Sequence, residues 1–385
     1  MRQFQTCAFA LAAASVIATA GAVPANAVVY VSSVVAAGLD NPRGLAFGTD
    51  GALYIAEGGS FIPGGPSING PEGPVVFGAS GAITRLSGGV QTRIATGLPS
   101  LASASGSAAG PQDIAFYNGL GYVVIGLGAN PAVRGAELGA DPAAANLASL
   151  YSFNTIGALT KVADIGTYEQ TVNPAADQID SNPFHLTAGP NGLLVTDAGG
   201  NSLLNITEAG AISALATFPD VNGADAVPTG ISVGPDGAFY VGQLTGVPFD
   251  PGSANIFRID PVTSDKTIFA TGFTNITDIA WGQDGSLYVL QFSDAGILNG
   301  GPGSIQKINS DGTHELIFGG LIAPTGLEIG SDGAFYVTNF SPAAGIGQVL
   351  RIAGVPEPAS WAMMIAGFAL IGGMMRKRQM SIRFA

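Results

Sequence analysis

Thiols are almost absent from this sequence of 385 residues, in which Cys7 is the only cysteine. Residues 1–27 are typical of a secretory signal peptide. Arg2 precedes an apolar segment at 6–20, and Ala25-Asn26-Ala27 forms an A-x-A cleavage site. Cleavage there would remove Cys7. The mature protein would then have no thiol, which excludes disulfides, thiolate catalysis and zinc–cysteine sites.

Basic side chains are also scarce. Between residues 28 and 356 there are 9 Lys and Arg against 26 Asp and Glu, a net charge of −17. Nucleic-acid binding depends on neutralising phosphates with Lys and Arg, so no nucleic-acid partner is expected. An acidic body suits a cation, a cationic or neutral ligand, or solubility alone.

Several catalytic motifs are missing as well. The sequence has no G-x-S-x-G, no H-E-x-x-H and no phosphate-binding glycine-rich loop with Lys. The Asp-Gly dipeptides at 236, 284, 311 and 332 lack the spacing of a calcium loop, so we interpret them as turns. His314 follows one of these turns and is predicted to lie at the surface.

What the chain does have is an internal repeat. "PRGLAFGTDGALYIAE" (42–57) recurs at 228–243, 276–291 and 324–339, with weaker copies at 111–125 and 183–197. Asx-Gly between two apolar runs is a strong hairpin signal, because both turn residues must tolerate positive φ. A second pair of apolar runs follows each hairpin. Four strands in roughly 45 residues are typical of a propeller blade.

The repeat count predicts an all-β, six-bladed β-propeller. The last repeat ends at "QVLRIA" (348–353) without a fourth strand, whereas "VVYVSSVVAAGL" (28–39) resembles the fourth strands of other repeats. The N-terminal strand is therefore predicted to complete the last blade and close the ring, which leaves only short, protected sheet edges. The propeller would span 28–354.

The body resembles NHL-like six-bladed propellers. More narrowly, "GLDNPRGLAFGTDGALYIAEGG" (38–59) is similar to the start of the ScyD/ScyE family. The resemblance covers about 28–353 and is clearest in the opening motif and the last three repeats. It implies fold and export, and no particular reaction.

The C-terminus carries a second targeting signal. Pro356-Glu357-Pro358 is followed by a mostly apolar segment at 359–375 and by Arg376, Lys377 and Arg378. This order resembles the PEP-CTERM sorting signal over 355–385. The resemblance implies processing by an exosortase near the triplet and release or attachment at the surface of a bacterium that makes exopolysaccharide. The apolar segment is near the lower length limit for a transmembrane helix, so the alternative is a permanent tail anchor.

Two sets of residues are predicted to meet at one mouth of the propeller channel. The first follows "Pro-x" in each repeat: Gly44, Asp113, His185, Gly230, Asp278 and Gly326. The second ends the second strand: Glu57, Asp197, Gln243, Gln291 and Asn339. All the non-glycine members are candidate ligand-binding residues, since binding residues concentrate where a rigid scaffold holds loops.

Three members of the first set are candidate metal ligands. Asp113, His185 and Asp278 replace what is otherwise glycine, and could hold a divalent cation such as calcium, with Glu57 or Asp197 completing the shell. The alternative is that they bond local backbone or line a water-filled channel. For Glu328 two interpretations are open, an inward-facing carboxylate and a solvated one, and the solvated one is expected.

Two functions of different class follow. The first is an exported cell-surface or matrix protein that acts as a binding or scaffold protein linked to exopolysaccharide or biofilm. The second is a divalent-metal-dependent propeller enzyme of lyase, lactonase or sugar-dehydrogenase type. No catalytic residue is assigned. The expected partners are the exosortase and secretion machinery, an exopolysaccharide or small molecule, and the membrane through the C-terminal segment before processing.

Overall fold

The computed structural model describes residues 28–70 and 73–355, together with 368, 369 and 372. One compact unit covers Tyr30–Ala353. The predicted signal peptide and Pro356, Glu357 and Pro358 lie outside the described residues, as does most of the predicted span at 359–375. None of the helices in the described part of the chain has the length and apolar character needed to cross a membrane.

Strands in the described ranges form six sheets, which we number 1 to 6 along the chain. The chain enters through β1 (Val29–Leu39), which belongs to sheet 6. Sheet 1 holds β2 (Pro42–Phe47), β3 (Leu53–Glu57), β4 (Ser67–Gly70), β5 (Gly73–Ser87), β6 (Val90–Ser103) and β7 (Ala108–Ala109). Sheet 2 holds β8 (Pro111–Tyr117), β9 (Leu120–Ile125), β10 (Ser149–Phe153) and β11 (Leu159–Asp164).

Sheets 3 to 5 repeat the four-stranded pattern. Sheet 3 holds β12 (Pro183–Gly189), β13 (Gly192–Asp197), β14 (Ser202–Ile206) and β15 (Ile212–Thr217). Sheet 4 holds β16 (Pro228–Val233), β17 (Phe239–Gln243), β18 (Ala254–Ile259) and β19 (Lys266–Phe273). Sheet 5 holds β20 (Ile276–Trp281), β21 (Leu287–Gln291), β22 (Gly303–Ile308) and β23 (His314–Leu321).

Sheet 6 draws on both ends of the unit. It contains β24 (Leu327–Ile329), β25 (Phe335–Asn339) and β26 (Gly347–Val355), and β1 pairs with β26 at its outer edge. The N-terminal strand therefore completes the last sheet, as the sequence predicts. Tyr30 packs on Phe335, with ring centroids 5.8 Å apart, and Leu39 is fully buried.

The first strands of the six sheets surround a common axis. Each of β2, β8, β12, β16, β20 and β24 contacts the first strand of the next sheet, and β24 contacts β2. Thr325 Oγ1 also donates to the carbonyl of Pro42 at 3.1 Å across this junction. Hydrophobic clusters lie between successive sheets, for example Ile256 with Ile279 between sheets 4 and 5, and Val349 with Leu45 between sheets 6 and 1.

Short helices and insertions interrupt the pattern on one side. Helix α1 (Val133–Ala136) and the 3-10 helix Pro142–Asn146 lie between β9 and β10, and another 3-10 turn, Ile297–Asn299, precedes β22. Helix α2 (Ile165–Val172) was not predicted from the sequence. Asp164 caps it by accepting from Thr167 N at 2.8 Å, and it ends at Asn173, whose φ is 42°.

The hairpin interpretation of the Asx-Gly dipeptides is confirmed. Gly51 and Gly237 adopt φ of 73° and 77° at the tips between the first and second strands of their sheets. A side chain is strained at such φ values, whereas glycine adopts them at no steric cost. The turns thus place each first strand directly beside the second strand of its sheet, and the second strands β3 and β17 are buried throughout.

Candidate ligand-binding site in the central channel

A β-bulge near the start of the first strands positions the first set of predicted site residues. The pairing register shifts between Pro111 and Asp113 in sheet 2, and between Ile276 and Asp278 in sheet 5. The same shift occurs just before His185 in sheet 3. A bulge re-aims the side chains that follow it, and bulges recur next to functional sites.

The three side chains meet in the channel, as the sequence predicts. His185 Nδ1 lies 2.8 Å from Asp113 Oδ2, and His185 Nε2 lies 3.7 Å from Asp278 Oδ2. The imidazole thus bridges carboxylates from sheets 2 and 5. All three residues are at least 95% buried, with exposed fractions of 3 to 5%. The sequence predicts that they lie at an open mouth of the channel, whereas the structure buries all three.

Backbone donors hold both carboxylates. Asp113 Oδ2 accepts from Leu186 N at 2.9 Å, and Asp278 Oδ2 accepts from Leu327 N at 2.6 Å. Each aspartate therefore bonds the first strand of the following sheet. Asp278 Oδ1 also accepts from Ile279 N at 2.7 Å. The sequence also allows the alternative that these residues hydrogen-bond the local backbone. The structure shows such bonds for Asp113 and Asp278.

Glycine at the equivalent positions makes room for the bridge. A Cβ atom on Gly44 would lie 1.8 Å from Asp113 Oδ1, far inside van der Waals contact. On Gly230 it would lie 2.7 Å from the backbone of Asp278, and on Gly326 it would lie 2.5 Å from the carbonyl oxygen of Arg43. Glycine at these three positions of the ring is therefore a steric requirement.

Below the bridge lies a cavity of about 250 Å³ lined by all six first strands. The lining residues become more exposed along the strands: Asp113 and His185 are buried, Phe47 and Ser232 are half-buried, and Ala188 is exposed. The cavity therefore opens towards the face where the first strands end. This face is opposite to the mouth at which the sequence predicts the binding residues.

Glu328 also lines this cavity, so the inward-facing alternative holds and the expectation of a solvated side chain is corrected. Its carboxylate accepts a hydrogen bond from the backbone of Phe47. Burial, with Asp278 and Asp113 nearby, raises the pKa of Glu328 to about 8. The sequence carried one signal for this residue: Ala, Thr or Ser occupies its position in the other repeats.

The bridge favours a proton on His185. Burial alone would lower the pKa of this imidazole, but Asp113 and Asp278 outweigh burial and raise it to about 9. Burial raises the pKa of Asp278 to about 7, although His185 acts in the opposite direction. His185 therefore retains a proton at neutral pH, and its ring lies between Asp113 and Asp278.

The three residues predicted as metal ligands contact each other in the structure. His185 Nδ1 and Asp113 Oδ2 lie 2.8 Å apart and share a hydrogen bond, so these two atoms engage each other rather than face an open position. No group of three or more His, Cys, Asp or Glu in the described ranges has the arrangement to hold a metal ion.

The second set of predicted residues lies outside the lining of the channel cavity. Four of them accept a hydrogen bond from the backbone just before the first strand of their own sheet. The bonds run from Asp40 N to Glu57 at 2.7 Å, Asn182 N to Asp197 at 2.6 Å, Thr274 N to Gln291 at 2.7 Å and Ile322 N to Asn339 at 2.6 Å. Their carboxylate and amide oxygens thus fix the entry into the first strands.

Glu57 and Gln243 differ from the other members of this set in their contacts. Glu57 is fully buried and also accepts from the Arg93 guanidinium, with Arg93 Nε 2.9 Å from Glu57 Oε1. Gln243 differs from the other four, because its Oε1 accepts from Asn255 and its Nε2 is buried without a partner. His314 is exposed, as predicted, and stacks on Phe273 with ring centroids 4.0 Å apart.

Comparison with known proteins supports the sorting signal. Residues 354–379 match the PEP-CTERM protein-sorting motif, which confirms the interpretation of Pro356, Glu357 and Pro358. The chain is therefore an exported protein associated with the cell envelope. No curated protein matches the chain.

Solved structures resemble the body of the chain. The PQQ-bound aldose sugar dehydrogenase of Streptomyces coelicolor has a TM-score of 0.53 at 13% identity, covering 85% of this chain and 98% of its own. A gluconolactonase of Xanthomonas campestris has a TM-score of 0.52 at 11% identity, covering 84% and 89%. A luciferin-regenerating enzyme has a TM-score of 0.50 at 12% identity, covering 85% and 96%. At these identities the likeness shows the fold alone, which is of the propeller type.

Proposed function

We propose that the exported protein is a six-bladed propeller that binds a small hydroxyl-bearing ligand, neutral or positively charged, in its central cavity, and that it acts as a binding or scaffold protein. In this proposal each of the six sheets is one blade, and the body at 28–354 is the mature protein. The ligand would enter from the face where the first strands end.

The Asp113–His185–Asp278 bridge carries the proposal. The carboxylates and the imidazole of the bridge hydrogen-bond each other and the backbone, so none of them is a free nucleophile. The bridge instead closes one end of the cavity. The remaining wall offers Glu328, Thr187 and Ser232 among apolar side chains. A few convergent polar groups inside a cavity fix the orientation of a small molecule, and these three side chains offer such groups.

The sorting motif supports a place at the cell surface or in the extracellular matrix. We propose that an exosortase removes or exchanges the C-terminal segment and that the ligand derives from an exopolysaccharide. The similarity of residues 38–59 to the ScyD/ScyE family belongs to the same proposal. The exopolysaccharide origin of the ligand and the similarity to the ScyD/ScyE family both rest on sequence resemblance.

A metal-dependent propeller enzyme is the competing function. The gluconolactonase and sugar dehydrogenase that resemble this chain in fold favour it. The hydrogen-bonded bridge argues against it, because the three residues predicted as metal ligands hold each other instead. Measuring metal content and ligand binding on one preparation distinguishes the binding protein from the metal-dependent enzyme.

The experiment uses the purified exported protein and follows its melting temperature with neutral sugars, amino sugars and Ca²⁺, before and after EDTA. A ligand at a hundredfold excess over its dissociation constant should stabilise the protein by about 2.7 kcal/mol. Ala188→Trp at the cavity opening should weaken that ligand at least about tenfold, which is about 1.4 kcal/mol. Ala214→Trp on the outer strand of sheet 3 is the matched control.

Binding that survives Ala188→Trp would place the ligand elsewhere and contradict the cavity. Stoichiometric metal that EDTA removes, together with turnover of a lactone or sugar, would establish the competing enzyme function.

A further inference from the structure

Below the Asp113–His185–Asp278 bridge, the first strands contribute a second ring of residues to the central cavity. The ring lies two positions after the bridge on each strand, so its side chains point to the same side of the strands. Its six members all line the cavity: Ala46, Ala115, Thr187, Ser232, Ala280 and Glu328. We refer to them as the second ring. Five of its side chains are small, which leaves the cavity its volume of about 250 Å³.

The polar members of the second ring lie on opposite sides of the channel. The first strands follow one another in sheet order around the axis, and β24 closes the circle against β2. Sheet 6, which carries Glu328, is therefore three places from sheet 3, which carries Thr187. Ser232 lies on the next strand, β16. A carboxyl group thus faces two hydroxyl groups across the cavity, with alanines between them on both sides.

These three polar groups are available to a ligand. Thr187 and Ser232 are half-buried, and neither hydroxyl has a hydrogen-bond partner in the part of the chain that the structure describes. The Glu328 carboxyl accepts from the backbone of Phe47, and its other lone pairs have no donor within the described ranges. A ligand can therefore hydrogen-bond all three groups without displacing a protein contact.

The charged groups around the cavity are carboxyls, with the exception of His185 on β12. Asp113 comes from β8, Asp278 from β20 and Glu328 from β24, whereas β2 and β16 line the cavity with uncharged residues. The imidazole pairs with the two aspartates. Glu328 is therefore the carboxyl that the bridge leaves without a cationic partner.

Without a ligand, a proton compensates the charge of Glu328. Burial and the two aspartates raise its pKa to about 8, so the carboxyl is neutral at pH 7. An ammonium group can replace this proton, because an opposite charge at close range favours the ionised carboxylate. The exchange is balanced: the ammonium group binds the carboxylate, and the carboxyl proton passes to the solvent. A hydrogen bond between ionised groups is roughly twice as strong as one between neutral groups.

We propose that the central cavity selects a polyol or sugar that carries a primary ammonium group, and that Glu328 determines this specificity. The ammonium group binds the Glu328 carboxylate, and hydroxyl groups of the ligand bond Thr187 and Ser232 on the opposite wall. The inference rests on the proposed function and narrows its ligand from neutral or positively charged to positively charged. An acidic ligand is excluded, since its carboxylate would meet three carboxyls and, among the described residues that line the cavity, neither Lys nor Arg.

The probes are three six-carbon polyols that differ at one terminal carbon. Glucamine carries an ammonium group there, sorbitol a hydroxyl and gluconate a carboxylate. Their binding to the purified exported protein is measured by calorimetry at pH 8, where an aliphatic ammonium group stays charged. A salt concentration of about 0.15 M, with a screening length of about 8 Å, reduces weak surface attraction. Glucamine should bind at least about tenfold more tightly than sorbitol, and gluconate should not bind.

Glu328→Gln keeps the size of the side chain and removes its charge. It should abolish the preference for glucamine and leave sorbitol binding nearly unchanged, and sorbitol binding also shows that the variant is folded. Glu315→Gln makes the same change on the exposed surface of β23, outside the cavity, and should retain the preference. Thr187→Val removes a hydroxyl from the opposite wall. It should weaken glucamine and sorbitol alike by about two- to tenfold, the effect of one neutral hydrogen bond, without changing the preference.

The proton exchange gives a second readout that is independent of affinity. At pH 6.5 the wild type should release about one proton for each glucamine bound, since Glu328 is protonated before binding and ionised afterwards. The release is measured from the dependence of the binding enthalpy on the ionisation enthalpy of the buffer. Sorbitol should release no proton, and glucamine should release none from Glu328→Gln.

Equal affinity of glucamine and sorbitol would overturn the inference and leave the cavity as a site for neutral ligands. A preference for glucamine that Glu328→Gln retains, or glucamine binding without proton release, would overturn it as well. Absence of binding by both polyols would also overturn the inference. The proposed function fails only if sugars and amino sugars likewise leave the melting temperature unchanged, so the two failures are distinguishable.

Discussion

His185 is held by charge as well as by packing. It lies between Asp113 and Asp278, with Glu328 close enough to the pair for both aspartates to raise its pKa. The cluster contains three carboxylates and one imidazole in a buried setting. Its protonation therefore governs the stability of the channel.

The pH dependence of stability has a definite sign here. Glu328 keeps its proton in the folded protein up to about pH 8, whereas the unfolded chain loses it near the ordinary value of 4.5. Stability from this residue therefore falls as pH rises between those values. The raised pKa of His185 adds stability below its ordinary value of 6.5, which is lost as pH rises towards about 9.

Glu328→Gln should remove the contribution of the carboxyl group. We expect the free energy of unfolding to rise by about 1–3 kcal/mol at pH 8 and to change little near pH 4.5, since one pKa unit is worth about 1.4 kcal/mol. Urea unfolding at both pH values checks this. Glu315→Gln, on the exposed surface of β23, is the control. Equal unfolding curves for Glu328→Gln and wild type at pH 8 would be inconsistent with a buried, raised carboxyl.

At the level of strands and turns, much was predictable from the sequence. Asp-Gly and Asn-Gly between apolar runs predicted the hairpins, and their recurrence predicted equivalent positions for Asp113, His185 and Asp278. The bulges were not predictable, because one extra residue in a strand leaves no mark in a short apolar run. The bulges determine how deeply Asp113, His185 and Asp278 lie in the channel. Because the sequence does not reveal the bulges, it does not predict the face towards which the cavity opens.

The turns also carry contacts that periodicity does not reveal. Asp50 Oδ2 accepts from Tyr54 at 3.1 Å and bonds Arg85 of the third strand, and Asp236 makes the same contacts with Tyr240 and Arg258. Turn chemistry explained the Asp-Gly dipeptides from the sequence, and these cross-strand contacts are additional. The pairs are exposed, so each is worth little to stability.

Gly44→Ala tests the packing of one first strand against the next. Its Cβ would meet Asp113 Oδ1 at 1.8 Å, so we expect a loss of about 1–3 kcal/mol in the free energy of unfolding, as overpacking typically costs. Gly135→Ala is the matched control, because its Cβ would have no neighbour within 4 Å. Chemical denaturation of both variants checks the difference. Equal stability of the two would show that Asp113 moves aside freely.

For the molecule as a whole, β1 is the predicted closing strand. Deleting residues 28–37 should leave β26 as an open edge, and open edges promote aggregation. We expect the variant to lose its single cooperative transition in calorimetry and to form aggregates visible by light scattering. Removal of residues 60–66, which are exposed or half-buried, is the control for shortening the chain. A cooperative transition at the wild-type temperature would contradict the closing role of β1.

The strand order also determines when folding can be completed. The Thr325–Pro42 bond joins residues 283 positions apart, and β1 pairs with the last strand of the unit. Because export delivers the chain from its N-terminus, the segment that arrives first must wait for the segment that arrives last. Contacts between such distant residues form slowly. Throughout translocation, therefore, β1 remains without its partner, and its exposed valines are available to chaperones or to other emerging chains.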